Sequence, residues 1–381
     1  MRTIAVITCG RSDYGIYRPL LRRLVATPGL KLFLVATGTH YSAAHGRPVR
    51  RILADGFKVG ARVDLLPRGD SAAHMVDAMG RGLRRFSVLF QRHRPDILLV
   101  LGDRYEMLAA VSAAAPFNIP VAHLHGGEIT EGAMDELFRH AITKMSHLHF
   151  TSTRAYAERV RQMGEESWRV TVSGAPGLDN LREIKWLSLE ELEKDLDMVL
   201  RPAPWLVTYH PATLEPGDEK RQIGELLAAL SRQDRPMVFT RPCADPGAGV
   251  ILAAIGRFVR SHRSSRCFAE LGPERYFSLM KVAGAMVGNS SSGMIEAASF
   301  GLPVVNVGHR QKGRIHGRNV LDVECHAASI ERALRKVVAP AFRKSLARLV
   351  NPYGDGHAAA RIVKVLSSVP LDRKLLMKKF C

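Results

Sequence analysis

The chain has 381 residues, 55 of them Lys or Arg against 36 Asp or Glu, for a formal net charge of +19. That length exceeds one ordinary hydrophobic core and fits two domains; 46% of the residues are hydrophobic, yet no apolar run approaches the ~20 residues of a membrane span. The five cysteines, Cys9, Cys243, Cys267, Cys325 and Cys381, are odd in number and scattered, which argues against a disulfide framework or a zinc-ribbon spacing, and the N-terminus lacks a signal-peptide pattern, so a cytoplasmic address is expected.

Short apolar, β-branched runs alternate with amphipathic stretches of helical length, the pattern of parallel sheets covered by helices. In the first half, strands are predicted at Ile4–Thr8, Leu32–Ala36, Ile97–Gly102, Pro120–His123 and His149–Thr151, with helices over Tyr17–Val25, Ala72–Arg92 and Asp135–Ser146. Ser188–Leu200 reads as an exposed helix, and Arg201-Pro-Ala-Pro as the entry to a second series with strands at Trp205–Tyr209, Met237–Thr240, Ala285–Val287 and Val304–Val307. A last helix is predicted near Ala358–Ser367. The fold class is therefore α/β, with two Rossmann-like domains at residues 1–185 and 186–357 and a C-terminal segment, 358–381, that can pack back on the first.

The positive charge attracts anions. It is spread over short clusters, Arg47 to Arg51, Arg81 to Arg85 and Lys374 to Lys379, without a helix-turn-helix, zinc-finger or aromatic RNA-binding pattern, so a nucleic-acid partner is not expected.

In open parallel sheets ligands bind beyond the carboxyl ends of strands, which singles out the polar residues that follow apolar runs. After the first strand, Gly10-Arg-Ser-Asp-Tyr-Gly leads into a helix whose exposed N–H groups can hold a phosphate, with Arg11 adding charge; a full Gly-x-Gly-x-x-Gly is missing, so no dinucleotide cofactor is expected. Leu98-Leu-Val-Leu-Gly delivers Asp103 and Arg104 to a strand end, as a catalytic and a binding residue or as a structural ion pair. The run from Ala122 to Lys144 gathers His123, His125, Glu128, Asp135 and His140 around Gly126-Gly127, read as a flexible loop that can bring two carboxylates to opposite faces of one substrate for acid/base work. Plainer roles compete: an N-cap for Asp135, packed or surface helix residues for His140 and His147. Two histidines and a glutamate could also hold zinc, but the adopted reading needs no metal and no cofactor. In the second series His210 ends a strand before a proline, and Gly288-Asn-Ser-Ser-Ser-Gly enters a helix with Ser290 and Ser291 lining an anion cradle. Glu296 can accept hydrogen bonds from ribose hydroxyls, and Arg310 and Arg314 can meet a diphosphate.

Together, Gly10-Arg-Ser-Asp-Tyr-Gly, Gly102-Asp-Arg-Tyr-Glu, His123-Leu-His-Gly-Gly-Glu with Asp135-Glu-Leu-Phe-Arg-His-Ala-Ile-Thr-Lys, Thr208-Tyr-His-Pro, Gly288-Asn-Ser-Ser-Ser-Gly and Arg310-Gln-Lys-Gly-Arg resemble the UDP-N-acetylglucosamine 2-epimerases. The match is nearest the hydrolysing branch of sialic acid and legionaminic acid synthesis. The resemblance implies GT-B architecture, with two facing Rossmann-like domains, a nucleotide-diphosphate amino sugar bound between them, and a homodimer. It implies anti elimination across C1 and C2 to a 2-acetamidoglycal, then hydration. By position it makes Asp103, Glu128 and Asp135 the acid/base candidates, places His210 near the diphosphate, and assigns Arg11, Ser290, Ser291, Glu296 and Arg310 to the nucleotide. His125 stands where many relatives have glutamate, which adds it to the catalytic candidates, and Cys243 stands where the family usually has asparagine, which leaves UDP against GDP open. The rival readings are a non-hydrolysing epimerase, a GT-B glycosyltransferase and a non-catalytic nucleotide-sugar binder.

Overall fold

The computed structural model describes residues 1–69, 71–131, 134–212, 217–242 and 247–379; Cys243, where the sequence departs from the usual asparagine of the family it resembles, and Cys381 lie outside them. The chain forms two compact units: Met1–Glu128 with Asp135–Arg182 and Tyr353–Cys381, and Ile129–Met134 with Glu183–Pro352.

The first unit is built on seven parallel strands, β1 (Arg2–Thr8), β2 (Leu30–Ala36), β3 (Val59–Arg62), β4 (Ile97–Leu101), β5 (Val121–Leu124), β6 (Leu148–Thr151) and β7 (Val170–Val172), in the order β3-β2-β1-β4-β5-β6-β7. Helices cover both faces. On one, Tyr17, Leu20, Leu21 and Leu24 of helix Arg11–Ala26 pack with Ile362, Val363 and Leu366 of helix Ala358–Ser368. On the other, Phe86 and Phe90 of helix Ala72–Arg92 pack with Met107, Ala110 and Val111 of helix Tyr105–Ala114.

The second unit repeats the plan with six parallel strands, β8 (Trp205–Thr208), β9 (Met237–Thr240), β10 (Ser265–Phe268), β11 (Ala285–Gly288), β12 (Val304–Val307) and β13 (Val320–Val323), in the order β10-β9-β8-β11-β12-β13. Its core joins Val207, Phe239, Val287 and Val305 to Leu226, Ile255 and Leu334 from the flanking helices.

Every strand predicted from sequence is present. Four more strands, β3, β7, β10 and β13, are the four sheet edges. A strand buried on both faces needs apolar residues throughout, as in the fully buried Ile97–Leu101; an edge strand is covered on one side only, and the half-exposed pattern of Val59–Arg62 gives no such run. The predicted exposed helix from Ser188 is shorter, Leu189–Leu196, opened by a capping box between Ser188 and Glu191, and it buries Leu192 and Leu196.

The C-terminal segment is held by buried polar groups. The guanidinium of Arg169 donates to the carbonyls of Lys374, Leu375 and Met377 at 2.8–3.0 Å. Lys378 and Lys144 both donate to Glu165 at 2.9 Å, and His149 lies 3.0 Å from its other oxygen. Burial alone would raise the Glu165 carboxyl, but these partners outweigh it and draw the pKa down to about 2. Part of the basic cluster read from sequence as surface charge is thus an internal anchor. Among the described residues no helix is long and apolar enough to cross a membrane.

Candidate active site

In both sheets the strand order reverses once, between β1 and β4 and between β8 and β11. Loops leave such a switch point in opposite directions and open a crevice at the carboxyl ends of the strands. In the first unit Arg11 and Asp103 follow the two strands of the switch point, β1 and β4; in the second, His210 and Ser290 follow β8 and β11.

In the first unit, β1 runs into helix Arg11–Ala26 through Gly10, and buried Asp13 accepts hydrogen bonds from the backbone N–H groups of Cys9 and Gly10, each at 2.7 Å. That acid fixes the turn and leaves Arg11 exposed on the first helical turn. Past β4, Asp103 does not pair with its neighbour Arg104. The Asp103 carboxylate meets Arg139, a guanidinium only 1% exposed that also donates to Glu136 at 2.6 Å and to the Glu128 carbonyl at 2.9 Å. Arg104 instead donates to Glu106 at 3.1 Å, a carboxylate only 1% exposed.

Past β5, His125 takes a left-handed backbone conformation (φ 63°), uncommon for a residue with a Cβ. The break in strand alternation separates the two histidines. His123 is fully buried, with Nε2 2.7 Å from the Gly102 carbonyl and Nδ1 3.2 Å from the Thr143 hydroxyl, and burial pushes its pKa down to about 3. His125 places Nδ1 2.6 Å from Oε1 of Glu128, and the Ser152 hydroxyl, just past β6, donates to the same oxygen at 2.7 Å. Its Nε2 is buried without a partner among the described residues. Glu128 is 1% exposed, the most desolvated of the three predicted acid/base carboxylates. In the Gly126-Gly127 loop, read from sequence as flexible, a Cβ on Gly127 would sit 2.5 Å from the Tyr156 carbonyl, and Arg159 donates to the Gly127 carbonyl at 2.7 Å. The glycine is required by close approach.

Asp135 opens helix Asp135–Met145 and is half-buried. Along that helix His140 pairs with Glu136 at 3.0 Å, and beyond its end His147 accepts from the Val121 N–H at 3.1 Å; both have structural roles. Among the described residues no three His, Cys, Asp or Glu side chains gather as a metal site.

In the second unit, β8 and β11 are locked together past their ends. Asn289, buried, donates from its amide to the His210 carbonyl at 2.8 Å and accepts from the His210 N–H at 2.7 Å. Gly288 makes this approach possible: at φ 126° a Cβ would lie 2.0 Å from the Thr208 carbonyl, so no other residue fits. The Asn289 carbonyl accepts from Arg310 at 3.1 Å and from Gln311 at 2.9 Å, which brings the loop past β12 to the same place. Burial, reinforced by the charge of Arg310, holds the His210 imidazole well below its usual pKa and therefore neutral. Ser290 caps helix Ser291–Ile295 by accepting from the Ser292 N–H, and Glu296 is buried at the helix's end. Arg314 donates to the Ile129 carbonyl at 3.1 Å, part of the segment that belongs with this unit. Sequence reasoning did not assign Glu106, Ser152, Asn289 or Gln311. Glu106 and Asn289 lay inside quoted motifs, and Ser152 follows a strand end, so the strand-end rule could have found it.

The family model for UDP-N-acetylglucosamine 2-epimerase matches residues 22–367. The chain is 36% identical to a Campylobacter jejuni protein named GDP/UDP-N,N′-diacetylbacillosamine 2-epimerase (hydrolyzing), covering 100% of this chain and 98% of that one. The protein belongs to the UDP-N-acetylglucosamine 2-epimerase family. A Legionella pneumophila member, named UDP-N,N′-diacetylbacillosamine 2-epimerase (hydrolyzing), is likewise 36% identical, over 99% of each chain. Among solved structures, the Neisseria meningitidis UDP-GlcNAc 2-epimerase bound to UDP-GlcNAc superposes with a TM-score of 0.81 at 18% identity, over 96% of this chain and 99% of that one. The fold of this epimerase-family member is thus GT-B, with two Rossmann-like parallel sheets.

Proposed function

We propose that the protein is a hydrolysing nucleotide-diphosphate-sugar 2-epimerase that converts UDP-N-acetylglucosamine, or a UDP- or GDP-linked 2,4-diacetamido analogue, to the free 2-epimeric sugar and the nucleotide diphosphate. The observation that carries this reading is Glu128, a desolvated carboxylate held by His125 and Ser152 beside the Arg139 that also holds Asp103. The relatives named as hydrolysing diacetylbacillosamine epimerases favour the diacetamido sugar, and an Escherichia coli relative, 35% identical and named polysialic acid biosynthesis protein P7, supports the sialic or legionaminic acid pathway that the motifs imply.

In this mechanism a carboxylate among Asp103, Glu128 and Asp135, with His125, accepts the C2 proton while the C1–O bond breaks and its electron pair leaves on the nucleotide diphosphate. The resulting 2-acetamidoglycal takes the hydroxyl of water at C1 and a proton at C2 from the opposite face. In the second unit Arg310 and neutral His210 stabilise charge on the leaving diphosphate; a neutral imidazole donates a hydrogen bond without adding repulsion to the arginine. Arg11, Arg104 and Arg314 supply further positive charge, and Ser290, Ser291 and Glu296 bind the nucleotide. The enzyme acts as a cytoplasmic homodimer and needs no metal.

The test offers UDP- and GDP-linked N-acetylglucosamine and 2,4-diacetamido sugars in heavy water with EDTA and follows products by NMR. Free 2-epimerised sugar with deuterium at C2 and equimolar nucleotide diphosphate is expected. A nucleotide-linked epimer without free diphosphate, or product unlabelled at C2, would sink the reading. D103N, E128Q and D135N should each lower kcat on the order of a hundredfold to ten-thousandfold while KM moves little; full activity in all three removes the site assignment.

A further inference from the structure

The first unit carries a second concave feature that shares no residue with the candidate acid/base or nucleotide-binding residues. Helix Ala72–Arg92 and the edge strand β3 enclose a groove of about 670 Å³ lined by Arg62, Arg81, Arg84, Arg85, Arg92 and His93. Arg81, Arg85 and Arg92 recur at i, i+4 and i+11, so they share one helical face, with Arg84 beside them. The charge is only partly neutralised. Arg81 pairs with Asp77 at 2.9 Å, and Arg85 lies 3.6 Å from the Asp64 carboxylate while donating to the Asp64 carbonyl. Arg62 is spent on a cation–π contact, its guanidinium 4.4 Å from the Tyr41 ring centre. Arg84 and Arg92 are exposed and have no carboxylate partner among the described residues. Guanidiniums gathered without counter-charge repel one another, and a bound anion relieves that repulsion.

The shape narrows the class of anion. From Arg81 to Arg92 the helix rises about 16 Å, too far for one phosphate to bridge. Val88 and Leu89 add apolar wall, and at the Arg92 end His93 lies on Phe33, ring centres 5.0 Å apart at 32°, which offers a flat outer face to a planar ring. Single-stranded nucleic acid is usually held by several aromatic platforms along a continuous basic track; this groove has one ring, and the protein's other basic residues are dispersed. We infer that this groove is a binding site for a nucleoside polyphosphate, with the phosphates on Arg84, Arg85 and Arg92 and the base against His93.

Isothermal titration calorimetry of the full-length protein with ATP and with inorganic tripolyphosphate tests this, with the Arg310→Gln variant separating the groove from the nucleotide site of the second unit. Both ligands should bind, and R84Q and R92Q should each weaken binding about tenfold. H93A should weaken ATP alone. Because Arg84 and Arg92 are exposed, both variants should keep the wild-type Tm; R310Q is the control whose ATP affinity should not move. Absence of ATP binding, equal affinity in R84Q, R92Q and wild type, or tighter binding of a single-stranded oligonucleotide than of ATP at physiological salt would each overturn the inference.

Discussion

His123 shows how one side chain ties stability to the geometry of the site. It bonds the carbonyl of the turn that presents Asp103, and burial, with smaller contributions from His149 and His125, moves its pKa from about 6.5 down to about 3. The facing Gly102 carbonyl and Glu128 act in the opposite direction and do not win. Because the folded pKa lies below the unfolded one, the unfolded chain takes up a proton first as pH falls. The stabilisation is therefore complete above pH 6.5 and is lost between 6.5 and 3, at roughly 1 kcal/mol per pH unit. His149 and His210 are shifted in the same direction by burial and steepen the loss. Thermal melts at pH 7 and pH 5 should show a larger fall in Tm for wild type than for H123Q; an equal fall would mean that His123 is not the buried neutral group described.

At the scale of elements, the two sheets share a logic of exposure. Central strands such as Ile97–Leu101 and Val304–Val307 are buried throughout, whereas Val59–Arg62, Ser265–Phe268 and Val320–Val323 are mostly half-exposed or exposed. An edge strand has hydrogen-bonded neighbours on one side only and little apolar surface to lose on opening. Hydrogen exchange should therefore reach β3, β10 and β13 before β1, β4, β8 and β11. Protection of the edges equal to that of the centres would contradict the sheet order. The same asymmetry places the residues of the proposed site, since Asp103, Glu128 and His210 all follow central or near-central strands, whose rigid ends hold side chains to a fixed geometry.

For the molecule as a whole, the chain returns to its first unit to finish it. Ala358, Ile362, Val363, Leu366 and Leu375 belong to the core that also holds Ile4, Tyr17 and Leu99, and Arg169 satisfies three carbonyls of the tail. A fragment of residues 1–182 would expose that apolar face and leave the Arg169 guanidinium short of partners, a combination costing several kcal/mol. It should lack a cooperative thermal transition, which addition of a peptide spanning 353–379 should restore. A fragment that melts as sharply as the intact protein would show that the tail is dispensable.

The sequence by itself determined the central strands, the two-series α/β plan and the positions past each apolar run where polar groups had to emerge, because burial on both faces writes itself into consecutive residues. It also carried the motifs that resemble the family. Partners were decided by the tertiary structure: Asp103 with Arg139 and not Arg104, His125 with Glu128 and Ser152, Asn289 with His210, and the tail lysine with Glu165. Each pair joins elements brought together by strand order or by a backbone turn such as that at His125, and neither is encoded in local periodicity. The edges were invisible for the same reason, since a strand's coverage depends on which neighbours the completed sheet supplies.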